Sequence, residues 1–217
     1  MLDLFYQKND YVWVSDGILS NKECDSIIKE AEPKMEDSET LDAEEARADL
    51  EEYEFKDWRT STGTGIFRKD YNSQQDFFSV LEKIEKVVES ITGLPSSHQE
   101  QLQVLRYFPG QEYKVHHDFF HEGSDYYERV IKEGGQRLYS IMFYLNTVTK
   151  GGETHFPKLD NLKINAIKGR ALLFKNTIDG IPLYESLHAG LAPIGGIKWI
   201  AVKWVRESIC ESTYPPK

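Results

Sequence analysis

Residues 101–118, QLQVLRYFPGQEYKVHHD, carry the organisation of this chain in miniature. An apolar run over 102–108 stops at Pro109-Gly110, and a second begins at Tyr113 and continues to Phe119. Short runs rich in Val, Leu and aromatics, divided by turn residues, are what strands require, because a strand sends alternate side chains to opposite faces. The pattern recurs at 138–145, 162–167, 171–174 and 199–205, with Gly134-Gly135, Gly151-Gly152, Gly169 and Gly195-Gly196 between the runs. Several short strands in succession predict a β-sandwich or barrel.

Upstream the period changes. Ser20-Asn21-Lys22-Glu23 is a capping box, followed by Cys24, Ile27, Ile28 and Ala31 at helical spacing and by Pro33 as a stop. A second helix is predicted from near Ser73, with Phe77, Leu81, Ile84, Val88 and Ile91 on one face, closing at Gly93 before Pro95. Both stripes suit helices that buttress a sheet. Between them, residues 36–65 read as a long loop able to serve as a lid. The expected architecture is α+β: helical support and lid over 1–100, an all-β core over 101–206, and one domain over 1–217.

The chain is long enough for a continuous core, with 40% hydrophobic and 12% aromatic residues. Its net charge of -10 is local: residues 36–54 hold ten acidic side chains against Arg47 alone. Such a run is ordinarily a solvated face, with a basic partner as the other reading. No basic stripe exists to neutralise phosphates, which argues against nucleic acid. The opening residues, MLDLFYQKNDYVWV, form neither a signal peptide nor a spanning segment, so no membrane and a cytoplasmic location are expected. Cys24 and Cys210 lack CxxC spacing. A reducing compartment follows, with a single bridge between the two as the alternative. No oligomerisation heptad is visible, so a monomer is expected.

His116 and Asp118 stand two apart, so on a strand both side chains reach one face and can share a metal. A second histidine would complete a two-His, one-carboxylate facial triad, which suits Fe(II) oxygenases because it leaves one face of the metal open. Alone, an HxD triplet is common by chance. The C-terminal segment strengthens it: His188 lies 70 residues beyond Asp118 and is followed by a Gly/Pro-rich turn and a strand in which Lys198, Ile200, Val202 and Trp204 share a face. Lys198 is thereby expected beside His188 across a hairpin. An interior ammonium needs an anion, and a dicarboxylate such as 2-oxoglutarate would supply one.

Further motifs narrow the reading. Tyr11-Val12-Trp13-Val14 leads into Leu19-Ser20-Asn21-Lys22-Glu23-Cys24, and Trp58-Arg59-Thr60-Ser61 follows. Val104-Leu105-Arg106-Tyr107-Phe108-Pro109-Gly110-Gln111 runs into Tyr113-Lys114-Val115-His116, and Tyr144-Leu145-Asn146 precedes Gly151-Gly152-Glu153-Thr154-His155-Phe156-Pro157. In this order, over about residues 11–206, these segments resemble the prolyl 4-hydroxylases of the Fe(II)- and 2-oxoglutarate-dependent dioxygenases. The resemblance implies a double-stranded β-helix of jelly-roll or cupin type with N-terminal buttressing helices. It implies His116, Asp118 and His188 as iron ligands and Lys198 as partner of the distal 2-oxoglutarate carboxylate. Tyr107, Tyr144, Thr154 and Trp204 become cosubstrate-pocket residues, and Arg59 and Trp58 substrate-binding ones. Lys rather than Arg at position 198 resembles the collagen-type branch.

Plainer readings stand beside these. His117 faces away from the metal unless it replaces His116, and His121 and His155 invite a zinc site that would leave Lys198 unexplained. Tyr107, Tyr144 and Trp204 are also ordinary core aromatics, Arg59 could anchor its loop through a salt bridge, and Trp58 could simply pack. The leading function is hydroxylation of peptidyl proline at C4, consuming O2 and 2-oxoglutarate and releasing succinate and CO2, with ascorbate as a possible reductant. Its partner would be a proline-containing peptide or protein. The alternatives are a related hydroxylase acting on another residue or a free amino acid, and a non-catalytic binding module.

Overall fold

In the computed structural model, which describes residues 5–38, 59–123 and 126–210, the chain opens with the hairpin β1 (Tyr6–Asn9) and β2 (Val12–Ser15). Helix α1 (Asn21–Ala31) starts as its capping box requires. Ser20 N–H donates to Glu23 Oε2 at 2.7 Å, and Glu23 N–H donates to Ser20 Oγ at 3.3 Å. The expected loop over 36–65 needs correction. Residues 39–58, which include Trp58, lie outside the described residues. Its flanks are strands, β3 (Glu36–Asp37) and β4 (Thr62–Ile66), paired with each other and through β4 with the core. The glycines that read as loop serve close approach instead: a Cβ at Gly65 would lie 2.6 Å from the Gln101 side chain.

Helix α2 (Asp76–Thr92) begins three residues later than the pattern at Ser73 suggests. Asn72 Oδ1 accepts from the Gln74 N–H and Gln75 Oε1 accepts from the Asn72 N–H, which holds those residues in a turn. The helix ends at Gly93, whose φ of 74° is the left-handed cap glycine tolerates best. The remaining elements are β5 (Leu102–Tyr107), β6 (Tyr113–His116), α3 (Tyr127–Lys132), β7 (Arg137–Tyr144), β8 (Thr154–Phe156), β9 (Leu162–Ile164), β10 (Ala171–Lys175), β11 (Thr177–Ile178), β12 (Ile181–Pro182), β13 (His188–Gly190) and β14 (Lys198–Arg206).

These strands form an eight-stranded sheet in the order β1-β2-β10-β7-β14-β5-β4-β3 and a four-stranded sheet in the order β6-β13-β8-β9. Every pairing in both is antiparallel. The expected jelly-roll core is present, but it does not begin at residue 101: β1, β2, β3 and β4 of the larger sheet all precede it. Period-two alternation divides the larger sheet: Trp199, Ala201 and Val205 of β14 join Ile141 and Phe143 of β7 beneath α1 and α2, where Ile27, Ile84 and Val88 are buried. Ile200 and Val202 join Met142, Tyr144, Phe156 and Phe174 on the inner side. Lys198 shares that inner face, as the alternation predicts.

One connection differs from expectation. Lys198 and His188 do not face each other across a hairpin, because β13 belongs to the smaller sheet and β14 to the larger. The Gly/Pro-rich turn, held where Gly152 N–H donates to Ala192 O and Ile194 N–H to Lys150 O, carries the chain from one layer to the other. The two residues therefore reach the same interior space from separate sheets.

Candidate metal centre and cosubstrate pocket

His116 ends β6 and His188 begins β13, and the two are register partners. Asp118, two residues past His116, completes the cluster: one donor atom from each residue lies within 4.8 Å of the others. His116 Nε2 is 3.7 Å from Asp118 Oδ1, and His188 Nε2 is 3.8 Å from Asp118 Oδ2. Each imidazole Nδ1 faces a carbonyl, Lys114 O at 2.8 Å for His116 and Ser186 O at 3.0 Å for His188. A carbonyl only accepts, so the Nδ1 atoms carry the protons and both Nε2 lone pairs turn inward. Burial, with His188 beside it, holds the His116 pKa well below its ordinary value. Burial alone would raise Asp118, yet His188, His116, Arg137 and the Ser140 hydrogen bond bring it down to about 2. Two imidazoles and one carboxylate are a donor set that fits a divalent iron and leaves coordination positions for other ligands.

The cluster forms one wall of a partly open cavity between the two sheets. Lys198, Tyr107, Thr154, Trp204 and Arg59 line the same cavity. Lys198 is 1% exposed. Burial pushes its pKa from the ordinary 10.5 down to about 8, only partly opposed by Glu153. No carboxylate among the described residues forms an ion pair with it. Trp204 Nε1 is likewise buried with no hydrogen-bond acceptor. A buried ammonium and a buried N–H donor facing one cavity fit a dianionic ligand such as 2-oxoglutarate. Gly190 lies beside both groups, since a Cβ there would be in ordinary contact, at 3.8 Å, with Lys198 Nζ and Tyr107 Oη.

With this geometry in place, the likeness to known proteins is specific. The pattern of the 2OG-Fe(II) oxygenase superfamily matches residues 102–206. Prolyl 4-hydroxylase 2 of Arabidopsis thaliana is 35% identical, over 89% of this chain and 66% of that protein. Prolyl 4-hydroxylase 1 of the same plant is 31% identical, over 89% of this chain and 68% of that protein. The chain belongs to the prolyl 4-hydroxylase family. It spans just under two thirds of the length of the first of these relatives. Among solved structures, the viral collagen prolyl hydroxylase of Paramecium Bursaria Chlorella virus-1, in its 2OG complex, superposes with a TM-score of 0.67. It is 29% identical and the match covers 91% of this chain and 97% of that one.

The other expected residues of this prolyl 4-hydroxylase relative fall into two groups. Arg59 lines the cavity because residues 59–61 dock beside β6: Arg59 bridges to Tyr113, and Thr60 N–H donates to Glu112 O. Its guanidinium lies 4.8 Å from the Tyr113 ring centre, and its Nε donates to Ser61 Oγ at 3.1 Å. Tyr144 is not at the cavity wall. Its hydroxyl sits 2.7 Å from Thr154 Oγ1, one hydrogen bond behind it. His117 turns away from the metal cluster to Tyr184 O at 3.2 Å, and burial lowers its pKa to about 4. His121 packs on Phe119, and His155 Nε2 meets Asn161 Oδ1, so neither joins His116 and His188. Cys24 and Cys210 are both buried and unbridged.

Several contacts at the site carry no signal in the sequence. Tyr113 stacks on His116 with ring centres 3.5 Å apart at 17°, placing Arg59, Tyr113 and His116 in one column. Arg137 lies 3.9 Å from the Trp204 ring centre, donates from Nη1 to Asp118 O, and pairs with Glu100 through two 2.7 Å hydrogen bonds. Only the HxD and strand patterns are local. Arg137 and its partners Glu100 and Trp204 come from separate segments of the chain.

Proposed function

We propose that this protein is an Fe(II)- and 2-oxoglutarate-dependent dioxygenase that hydroxylates peptidyl proline at C4, with succinate and CO2 as coproducts. The observation that carries the reading is the convergence of His116, Asp118 and His188 in one cavity with Lys198, a buried ammonium that forms no ion pair with a carboxylate among the described residues. Bound there, Fe(II) with O2 and 2-oxoglutarate supplies the oxidising chemistry that inserts one oxygen atom into a substrate C–H bond. Lys198 pairs with the distal carboxylate of the cosubstrate, and the Tyr107 hydroxyl, Thr154 hydroxyl and Trp204 N–H orient it. Tyr144 acts through Thr154. Phe119, Phe120 and Tyr126 make the adjoining wall apolar, which keeps water from the reacting groups. Arg59, with Trp58 next to it in sequence, receives the peptide.

The name of the viral collagen prolyl hydroxylase and the lysine at position 198 support a proline-rich, collagen-like peptide as substrate. No helix among the described residues is long and apolar enough to cross a membrane. The two unbridged thiols support a reducing, cytoplasmic setting, with ascorbate as the reductant that rescues idle turnover. The test is succinate release with Fe(II), 2-oxoglutarate and O2, with and without proline-rich peptides, beside His116→Ala and with peptide mass as second readout. Peptide-stimulated succinate, lost in the variant, with one added oxygen on proline is the expected result. Succinate without peptide modification would discard the substrate, and none from folded, iron-loaded protein would discard the activity.

A further inference from the structure

Both carboxylate oxygens of Asp118 lie within reach of the histidine nitrogens, Oδ1 at 3.7 Å from His116 and Oδ2 at 3.8 Å from His188. Nothing in those distances decides whether the carboxylate would grip a metal with one oxygen or two. The decision matters chemically. Three protein donors on an octahedral ion leave three positions, two for a chelating keto acid and one for O2. A second carboxylate oxygen would occupy the last.

The inner face of the larger sheet supplies the deciding contact. Ser140 Oγ, on β7, donates to Asp118 Oδ2 at 2.5 Å, and Asn176 Nδ2, just beyond β10, donates to Ser140 Oγ at 2.9 Å. Ser140 and Asn176 are each fully buried. The polarity of this relay is forced. An ionised carboxylate only accepts, so the single serine proton must go to Asp118, and the amide must then offer its NH2 to the serine oxygen. Asn176 is itself held in place by backbone bonds, its N–H donating to Leu138 O and its C=O accepting from Leu183 N–H, both at 2.8 Å.

We infer that Ser140 and Asn176 are positioning residues that make Asp118 a one-oxygen ligand, presenting Oδ1 to the metal and retaining Oδ2 for the serine, so that a coordination position stays open for O2. The inference rests on the dioxygenase reading of the site. Its test therefore begins with the parent protein under anaerobic conditions: Fe(II) titration, then the visible charge-transfer band that forms when 2-oxoglutarate chelates the ion. Absence of that band in the parent overturns the reading of the site itself.

Given the band, Ser140→Ala is expected to bind Fe(II) at least as tightly as the parent and to develop the band at an unchanged 2-oxoglutarate concentration. Its O2 consumption and succinate formation fall about tenfold or more, the range for loss of an outer partner of a metal ligand. Ser140→Thr, which keeps the hydroxyl, restores turnover, and Asn176→Ala falls between. A crystal structure of Ser140→Ala with Mn(II) shows both Asp118 oxygens on the metal. Turnover of Ser140→Ala within about twofold of the parent would overturn the inference. So would loss of Fe(II) affinity together with the band, since the serine would then serve metal retention and not the number of oxygens bound.

Discussion

Replacing Lys198 by Met should make the metal-free protein more stable while abolishing its response to 2-oxoglutarate. The ammonium is 1% exposed, and burial takes its pKa from 10.5 to about 8. At 1.36 kcal/mol per pH unit, confining that charge costs the folded state about 3 kcal/mol. The sign follows from proton counting. The unfolded chain holds this proton more tightly, so stability rises with pH between about 8 and 10.5, and the full penalty applies at neutral pH. Met keeps the unbranched stem and removes the charge, so at pH 7 the variant should gain up to about 3 kcal/mol, or roughly 6–12 °C in Tm for a domain of this size. The same substitution leaves the distal carboxylate of 2-oxoglutarate without a counter-ion. Thermal unfolding of both proteins at pH 7 and pH 10, with and without 2-oxoglutarate and Mn(II), separates the two effects. The parent should gain Tm with the cosubstrate and the variant should not. The advantage of the variant should shrink at pH 10. A variant less stable than its parent at pH 7, or one that still responds to 2-oxoglutarate, would refute the reasoning.

Glu100 accepts hydrogen bonds from Arg137 and Arg206 while 2% exposed, so Glu100→Ala strands two buried cations and should cost about 3–5 kcal/mol in urea unfolding. Burial alone would raise its pKa, but the two arginines hold it below the usual carboxylate value; its contribution is complete above pH 4.5 and is lost as pH falls through the lowered folded pKa. Gly190→Val should fill the space beside Lys198 Nζ and Tyr107 Oη, raising the 2-oxoglutarate KM about tenfold or more, and an unchanged KM would remove Gly190 from contact with the cosubstrate. His117→Ala should bind Fe(II) as the parent does, whereas His116→Ala should not; equal loss in both would exchange their roles.

Features that depend on near neighbours were legible in the sequence. The capping box at Ser20 and Glu23 and the left-handed stop at Gly93 each express the local geometry of a helix, whereas Asp118 joins His116 from a bend just past the end of β6 and not by the strand alternation expected. The alternation of β14 placed Lys198, Ile200, Val202 and Trp204 on the inner face without knowledge of what lay opposite. Where local composition misled, a distant partner was the cause: Thr62–Ile66 reads as a glycine loop, but β5 offers it a full row of backbone hydrogen bonds. The same holds at the site. That Tyr144 stands behind Thr154, that Ser140 and Asn176 reach Asp118, and that Lys198 lines one cavity with His188 from the opposite sheet all depend on how two layers are superposed. Spacing along one strand determines the face a side chain takes. Only the packing of both sheets determines what it meets there.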